Sequence, residues 1–156
     1  AAMSINGIWG GCDAALVEAF RVLRPGGMLG ISYWGTGPMD FRHAFRVFAA
    51  SSPRPAVDGM VRTNNIAKPG VAEAMLEAAG FEVVEQGTRV SVIEWPDAET
   101  TWRAFSSAGP AVPALAHTDH DTLRAAVLEA LDHCRDERGM YRARNDHQFA
   151  IARKPG

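Results

Sequence analysis

The stretch Leu23-Arg24-Pro25-Gly26-Gly27 constrains this chain more than any other, because a helical pattern leads into it and a strand pattern leaves it. Leu16, Phe20 and Leu23 recur at helical spacing, with Val17 beside them, and draw one apolar stripe along a helix. Asp13 falls in the first turn and Arg21 and Arg24 in the last, the order of charge that a helix dipole favours. Pro25 cannot continue that helix, and Gly26-Gly27 supply the positive-φ positions of a tight reversal. Met28 to Trp34 then reads as a short, mostly apolar strand of the kind buried in a parallel sheet. Helix, turn and strand together make half of a doubly wound α/β unit.

Around this turn, Glu18-Ala19-Phe20-Arg21-Val22-Leu23-Arg24-Pro25-Gly26-Gly27 resembles the E-x-x-R-V-L-[RK]-P-G-G signature of class I S-adenosylmethionine-dependent methyltransferases, the type 11 group in particular. A second phrase, Leu76 to Val84, is similar to the L-x-x-A-G-F-x-x-V that precedes strand six in these enzymes. The resemblance implies an α/β fold: the carboxyl-terminal half of a Rossmann-like methyltransferase sheet, strands four to seven. The last strand, Gln148 to Lys154, would insert antiparallel between strands five and six. Residues 96–139 would be a helical insertion before it, within a single partial domain spanning 1–156, and part of a lid over the acceptor. The apolar start at Ala1 would be the end of strand four, with the first half of the fold lying outside the sequence. No G-x-G-x-x-G follows a strand in the sequence.

What the resemblance implies about function is methyl transfer from S-adenosyl-L-methionine to a small-molecule acceptor. The loop Asn6 to Gly11 would lie at the carboxyl end of its strand, where open α/β sheets bind ligands. Asn6, Gly7 and Ile8 are the expected cofactor contacts, and Trp9, Trp34 and Trp102 the expected walls of the acceptor site. A plainer reading of the same residues, Asn6-Gly7 as a turn and Trp9 as a core side chain, is equally compatible with the sequence. No residue declares itself as a catalytic base. The alternative from a different class is a non-catalytic domain that dimerises through an exposed sheet edge. The expected partners are accordingly the acceptor together with either a second copy or a missing amino-terminal half.

Between these anchors the pattern is simple. Gly35-Thr36-Gly37-Pro38 reads as a loop leaving the strand, and Asp40 as the cap of a helix whose Phe41, Phe45 and Phe48 share a core-facing side. His43 sits beside that stripe in a packing or surface role. Ser51 to Pro55 ends the helix, and an irregular crossing runs from there to Lys68. Pro69 is placed at the first position of the next helix, with Val71, Met75, Leu76 and Ala79 inward and Gly80 just past its end. Val90, Val92 and the residues to Trp95 look extended. Asp97 caps a helix bearing Trp102 and Phe105, and Gly109-Pro110 and Pro113 break it. Thr118 with Asp121 has the spacing of a capping box, followed by a stripe of Leu123, Val127, Leu131 and Cys134. Asp136 to Gly139 is a polar turn, and Arg142, Arg144, Asp146 and His147 read as a solvated turn before the last strand.

Bulk composition excludes several classes. The 156 residues are one domain's worth, 47% apolar and 22% charged, with a net charge of −2 that offers no basic field to nucleic acid or an anionic membrane. Lysine occurs only at Lys68 and Lys154 beside many arginines and alanines, which points to a GC-rich, bacterial coding sequence. Cys12 and Cys134 form no CxxC pair, consistent with free thiols in a cytoplasmic protein. His117, His120 and His133-Cys134 invite a zinc reading, but their spacing does not converge on one helical face, and no metal site is expected.

Overall fold

The computed structural model describes residues 1–53 and 65–156; the middle of the expected crossing before Lys68 lies outside the described residues. Four strands, β1 (Ala2–Ile5), β2 (Met28–Met39), β3 (Glu82–Trp95) and β4 (Tyr141–Arg153), form one sheet in the order β1-β2-β4-β3. β1 and β2 are parallel, with Ala2 opposite Leu29 and Ile5 opposite Ser32. β4 runs antiparallel to β2, because Gly26 and Lys154 meet at one end (2.9 and 2.8 Å) and Asp40 and Arg144 at the other (3.0 Å). The pairs Glu82–Arg153 (2.6 Å) and Glu94–Arg142 (2.7 Å) set β3 antiparallel to β4 in the same way. The last strand is therefore inserted antiparallel between the second and third, as the resemblance implied.

The chain divides into two compact units, each with its own core. The first comprises Ala1–Gly37, the described part of Asp58–Val90, and Asp146–Gly156. Its core sets Leu29, Ile31 and Tyr33 of β2 and Ala150 and Ala152 of β4 against Leu16 of α1 (Asp13–Val22) and Leu76 of α3 (Val71–Ala78). Leu16 and Leu23 are buried as the stripe predicts, but Val17 is 58% exposed, because it lies to one side of the face that meets the sheet. At the turn, Gly26 takes φ +72°, whereas Gly27 does not adopt positive φ. Gly27 is needed for space instead, since a Cβ there would stand 2.7 Å from the Arg24 carbonyl.

Helix α3 starts at Val71 after Gly70 (φ +76°), not at Pro69, which precedes it in a turn. It ends with Phe81 N–H on the Leu76 carbonyl (3.0 Å) and Gly80 N–H on that of Glu77 (2.9 Å), a Schellman closure with Gly80 at φ +96°. β3 is continuous from Glu82 to Trp95, so the two extended segments read separately from the sequence are one strand.

The second unit comprises the described residues of Pro38–Val57 together with Ser91–Asn145. It holds α2 (Phe41–Ala50), α4 (Ala98–Ser106), α5 (Ala111–Leu115), α6 (His120–Ala130) and a 3₁₀ turn (Asp132–Cys134). Phe48, Leu123, Val127 and Leu131 are fully buried in its core, and Phe41 stacks edge-on against Phe45 and Phe105. Asp97 caps α4 through Thr100 N–H (2.7 Å), as expected. The cap of α6 is Asp119, which accepts from Thr122 N–H (3.0 Å), rather than Thr118. Pro113 does not break the chain but lies inside α5, in the first turn, where no backbone donor is required.

Two polar segments expected outside strands lie within them. β2 runs through Gly35-Thr36-Gly37-Pro38 to Met39, and β4 begins at Tyr141, so Arg142, Arg144, Asp146 and His147 are strand residues. Asp146 is 6% exposed, and its carboxylate accepts from Gly37 N–H (3.0 Å). Its Cγ would stand 2.7 Å from a Cβ at Gly35 and 2.9 Å from one at Gly37. The glycines make room for a buried carboxylate; they do not make a loop. Asp40 also departs from its expected role. The first N–H of α2 is taken by Asn145 Oδ1 (3.2 Å), and the Asp40 carboxylate turns elsewhere.

Candidate functional site

β1 ends at Ile5, and the chain turns sharply at Asn6, which has φ +51°, a left-handed conformation that asparagine tolerates better than most residues. Asn6 N–H bonds the Ser32 carbonyl (2.9 Å) and lies 3.2 Å from its hydroxyl, tying the loop to β2. The side-chain oxygen of Asn6 is buried and has no hydrogen-bond partner among the described residues. A buried amide oxygen in that state is costly and accommodates a donor readily. Gly7 follows where a Cβ would come within 2.8 Å of Ser4 Oγ. Ile8 drops its side chain into the first core, leaving only its backbone to a ligand. Trp9 is 42% exposed, and its carbonyl accepts Cys12 N–H (3.0 Å) as the loop turns into α1.

Trp34 lies on β2, two residues beyond the Ser32 partner of Ile5, at the level where β1 gives way to this loop. Its ring faces the His147 imidazole, with centroids 4.6 Å apart. Burial holds the His147 pKa below its usual value, partly opposed by the Asp146 charge, and burial raises that of the Tyr33 hydroxyl. Asn6, Gly7, Ile8, Trp9 and Trp34 thus share the first unit. Trp102 lies in the second, 3% exposed, with its indole N–H donated to His120 Nε2 (3.2 Å), so that its polar edge is already engaged in packing.

The second unit has a polar cluster of its own. His133 Nε2 stands 3.3 Å from Asp40 Oδ1 and 3.3 Å from Cys134 Sγ, and Arg144 N–H binds the other Asp40 oxygen (2.6 Å). The rings of His43 and His133 are 4.7 Å apart. Burial opposes ionisation of Asp40, yet the Arg144 amide, His133 and Cys134 together hold its carboxyl below the usual range. The Cys134 thiol is pushed up to about 12 by burial and then by the Asp40 charge. His117 and His120 go elsewhere, His117 to the Pro113 carbonyl (3.0 Å) and His120 to Trp102. Sequence reasoning grouped His133 with those two and missed Asp40. Asp40 is far away in the chain and reads as an ordinary helix cap.

No protein-family model matches the chain, and no curated protein does. Solved structures do match. An inferred methyltransferase from Bacillus halodurans C-125 superposes over 99% of this chain with a TM-score of 0.52 at 16% identity. The fold is that of a class I methyltransferase. The [4+2]-cyclase SpnF aligns over 99% of the chain at 22% identity with a TM-score of 0.48. A phosphoethanolamine N-methyltransferase from Haemonchus contortus, solved with S-adenosylhomocysteine, aligns over 99% at 15% identity and a TM-score of 0.43. The chain spans 64% of the Bacillus protein, 50% of SpnF and 33% of the Haemonchus enzyme. Within a methyltransferase fold the four strands correspond to strands four, five, seven and six, which sets the Asn6 loop at the carboxyl end of strand four. Among the described residues no helix is long and apolar enough to cross a membrane.

Proposed function

We propose that this chain serves as the carboxyl-terminal half of an S-adenosylmethionine-dependent methyltransferase acting on a small molecule. The observation that carries the reading is the orphaned Asn6 side-chain oxygen, buried in the loop that leaves β1. An ammonium group such as that of the cofactor's methionine moiety is a donor that this oxygen would accept. Gly7 and the Ile8 backbone would line the same path, with Trp9 and Trp34 on the acceptor side. When bound, the cofactor supplies an electrophilic methyl group on sulfur. The residues of this chain bind and orient, and the acceleration rests on proximity and exclusion of water.

Calorimetric titration with S-adenosylhomocysteine tests the reading. The chain by itself is expected to bind weakly, since it spans only 64% of the Bacillus structure. In the protein that contains the whole fold, Asn6→Ala is expected to weaken binding about tenfold, the loss of one charge-assisted hydrogen bond. Asn6→Ala binding as tightly as the parent would remove Asn6 from the cofactor site. The second reading, a non-catalytic domain that pairs through its edge, is favoured by Met3 and Ile5 on β1, 78% and 74% exposed. A stable dimer with no S-adenosylhomocysteine binding in any form of the protein would decide for it.

A further inference from the structure

We propose that Asp40, His133 and Cys134 form a site for a borderline divalent metal, zinc foremost, with a fourth coordination position left open. The inference is independent of the methyltransferase reading. These three side chains offer one carboxylate oxygen, one imidazole nitrogen and one sulfur, all within 4.8 Å of one another. That donor set suits zinc, which takes nitrogen, sulfur and carboxylate ligands in tetrahedral array.

The spacing is informative. Two ligands at about 2.1 Å from a tetrahedral zinc stand about 3.4 Å apart. The oxygen–nitrogen and sulfur–nitrogen separations are both 3.3 Å. A charge-assisted hydrogen bond would be shorter, about 2.7–2.9 Å. Both distances are close to the edges of a coordination tetrahedron, and the third pair, the Asp40 oxygen and Cys134 Sγ, lies within 4.8 Å.

The surroundings supply what a metal site needs beyond its ligands. Arg144 N–H holds one Asp40 oxygen at 2.6 Å and leaves the other directed at His133, the outer-shell bond that fixes a ligating carboxylate. His133 and Cys134 are adjacent in the 3₁₀ turn, so the backbone sets their relative position. His133 is 44% exposed, which gives an ion a way in, and the His43 ring stands 4.7 Å from it. With the carboxylate ionised, loss of the thiol proton brings the ligand charge to −2 and balances the metal. Binding thus forms one sulfur–metal bond and releases the thiol proton to solvent.

Titration with cobalt(II), the spectroscopic substitute, reads the site directly. The expected result is a thiolate-to-cobalt charge-transfer band that saturates at one equivalent and is displaced by zinc. Cys134→Ser is expected to abolish the band and Cys12→Ser to leave it intact. Asp40→Asn and His133→Gln are each expected to weaken zinc at least about tenfold. His133 is largely at the surface, so His133→Gln keeps the test valid should Cys134→Ser misfold. No thiolate band in the parent, a band that survives Cys134→Ser, or unchanged zinc affinity in His133→Gln overturns the proposal.

Discussion

At the scale of single residues, the two family-like phrases turn out to touch. Phe20 of the first packs edge-on against Phe81 of the second, with ring centroids 5.1 Å apart. Gly80, between helix and strand, has Phe20 carbons 3.0 Å from where its Cβ would be, at φ +96°. Its helix-ending role was legible from the sequence; the aromatic ring lying over it was not, because nothing local encodes a neighbour sixty positions away. Gly80→Ala is expected to cost about 1–3 kcal/mol in chemical denaturation, from positive-φ strain and a displaced ring. The Gly35 and Asp146 pair makes the complementary point. Two glycines around one threonine, followed by proline, have the chemistry of a loop, and the buried Asp146 carboxylate explains why the strand carries no side chain at Gly35 and Gly37. Gly35→Ala is accordingly expected to destabilise the chain by about 1–3 kcal/mol, and a double-mutant cycle with Asp146→Ala to show coupling.

His147 belongs at this scale too. Its folded pKa lies below the ordinary 6.5, so the unfolded chain binds the extra proton first as pH falls. The corresponding stability is complete above the unfolded value and is lost as pH drops from about 6.5 through the folded pKa. Denaturation midpoints are expected to fall across that window in the parent and to flatten in His147→Gln. Asp40, whose folded pKa is lowered, loses its contribution only as pH falls below its ordinary 3.8, so the two effects separate.

At the scale of elements, the longer helices were legible, whereas the short α5, read as a break, and the strand lengths were not. α1, α2 and α6 show apolar residues at helical spacing and their cores follow, but the caps of α2 and α6 fall on Asn145 and Asp119 instead of the residues read from the sequence. β4 looked like a turn over its first half because Arg142 and Arg144 alternate with residues buried in the second core. Arg142 faces out to meet Glu94 on β3, a cross-strand pair invisible until the strands are aligned. The end of the same strand does more than alternate. Lys154 sends its ammonium to the carbonyls of Phe20 (2.7 Å) and Leu23 (2.8 Å), over the Phe20 ring, and so closes α1 from another element. Positive charge at the carbonyl end of a helix is favourable, where the last carbonyls lack intrahelical donors. Lys154→Met is expected to lower unfolding free energy by about 1–2 kcal/mol, with amide exchange accelerating first in the last turn of α1.

At the scale of the whole molecule, the strand order, in which the last strand separates β2 from β3, was legible only through the family resemblance, while the membership of the second unit was not. The helices between Pro96 and Gly139 lie there together with α2, which joins them through contacts such as Thr118 to the Ser51 carbonyl (3.1 Å). The sheet also has two different faces within the first unit. Leu29, Ile31, Ala150 and Ala152 point into the core, whereas Met3, Ile5, Phe149 and Ile151 line an apolar hollow that is open to solvent. β1 is the edge strand beside that hollow and is only four residues long. An apolar edge that no strand pairs among the described residues invites another strand. The chain is therefore expected to self-associate as concentration rises, visible by light scattering behind a sizing column. Ile5→Lys, a charge on a side chain already 74% exposed, is expected to suppress that association while leaving the unfolding midpoint within about 0.5 kcal/mol of the parent. Association that persists unchanged in Ile5→Lys would place the contact on another surface and leave β1 exposed for a different reason.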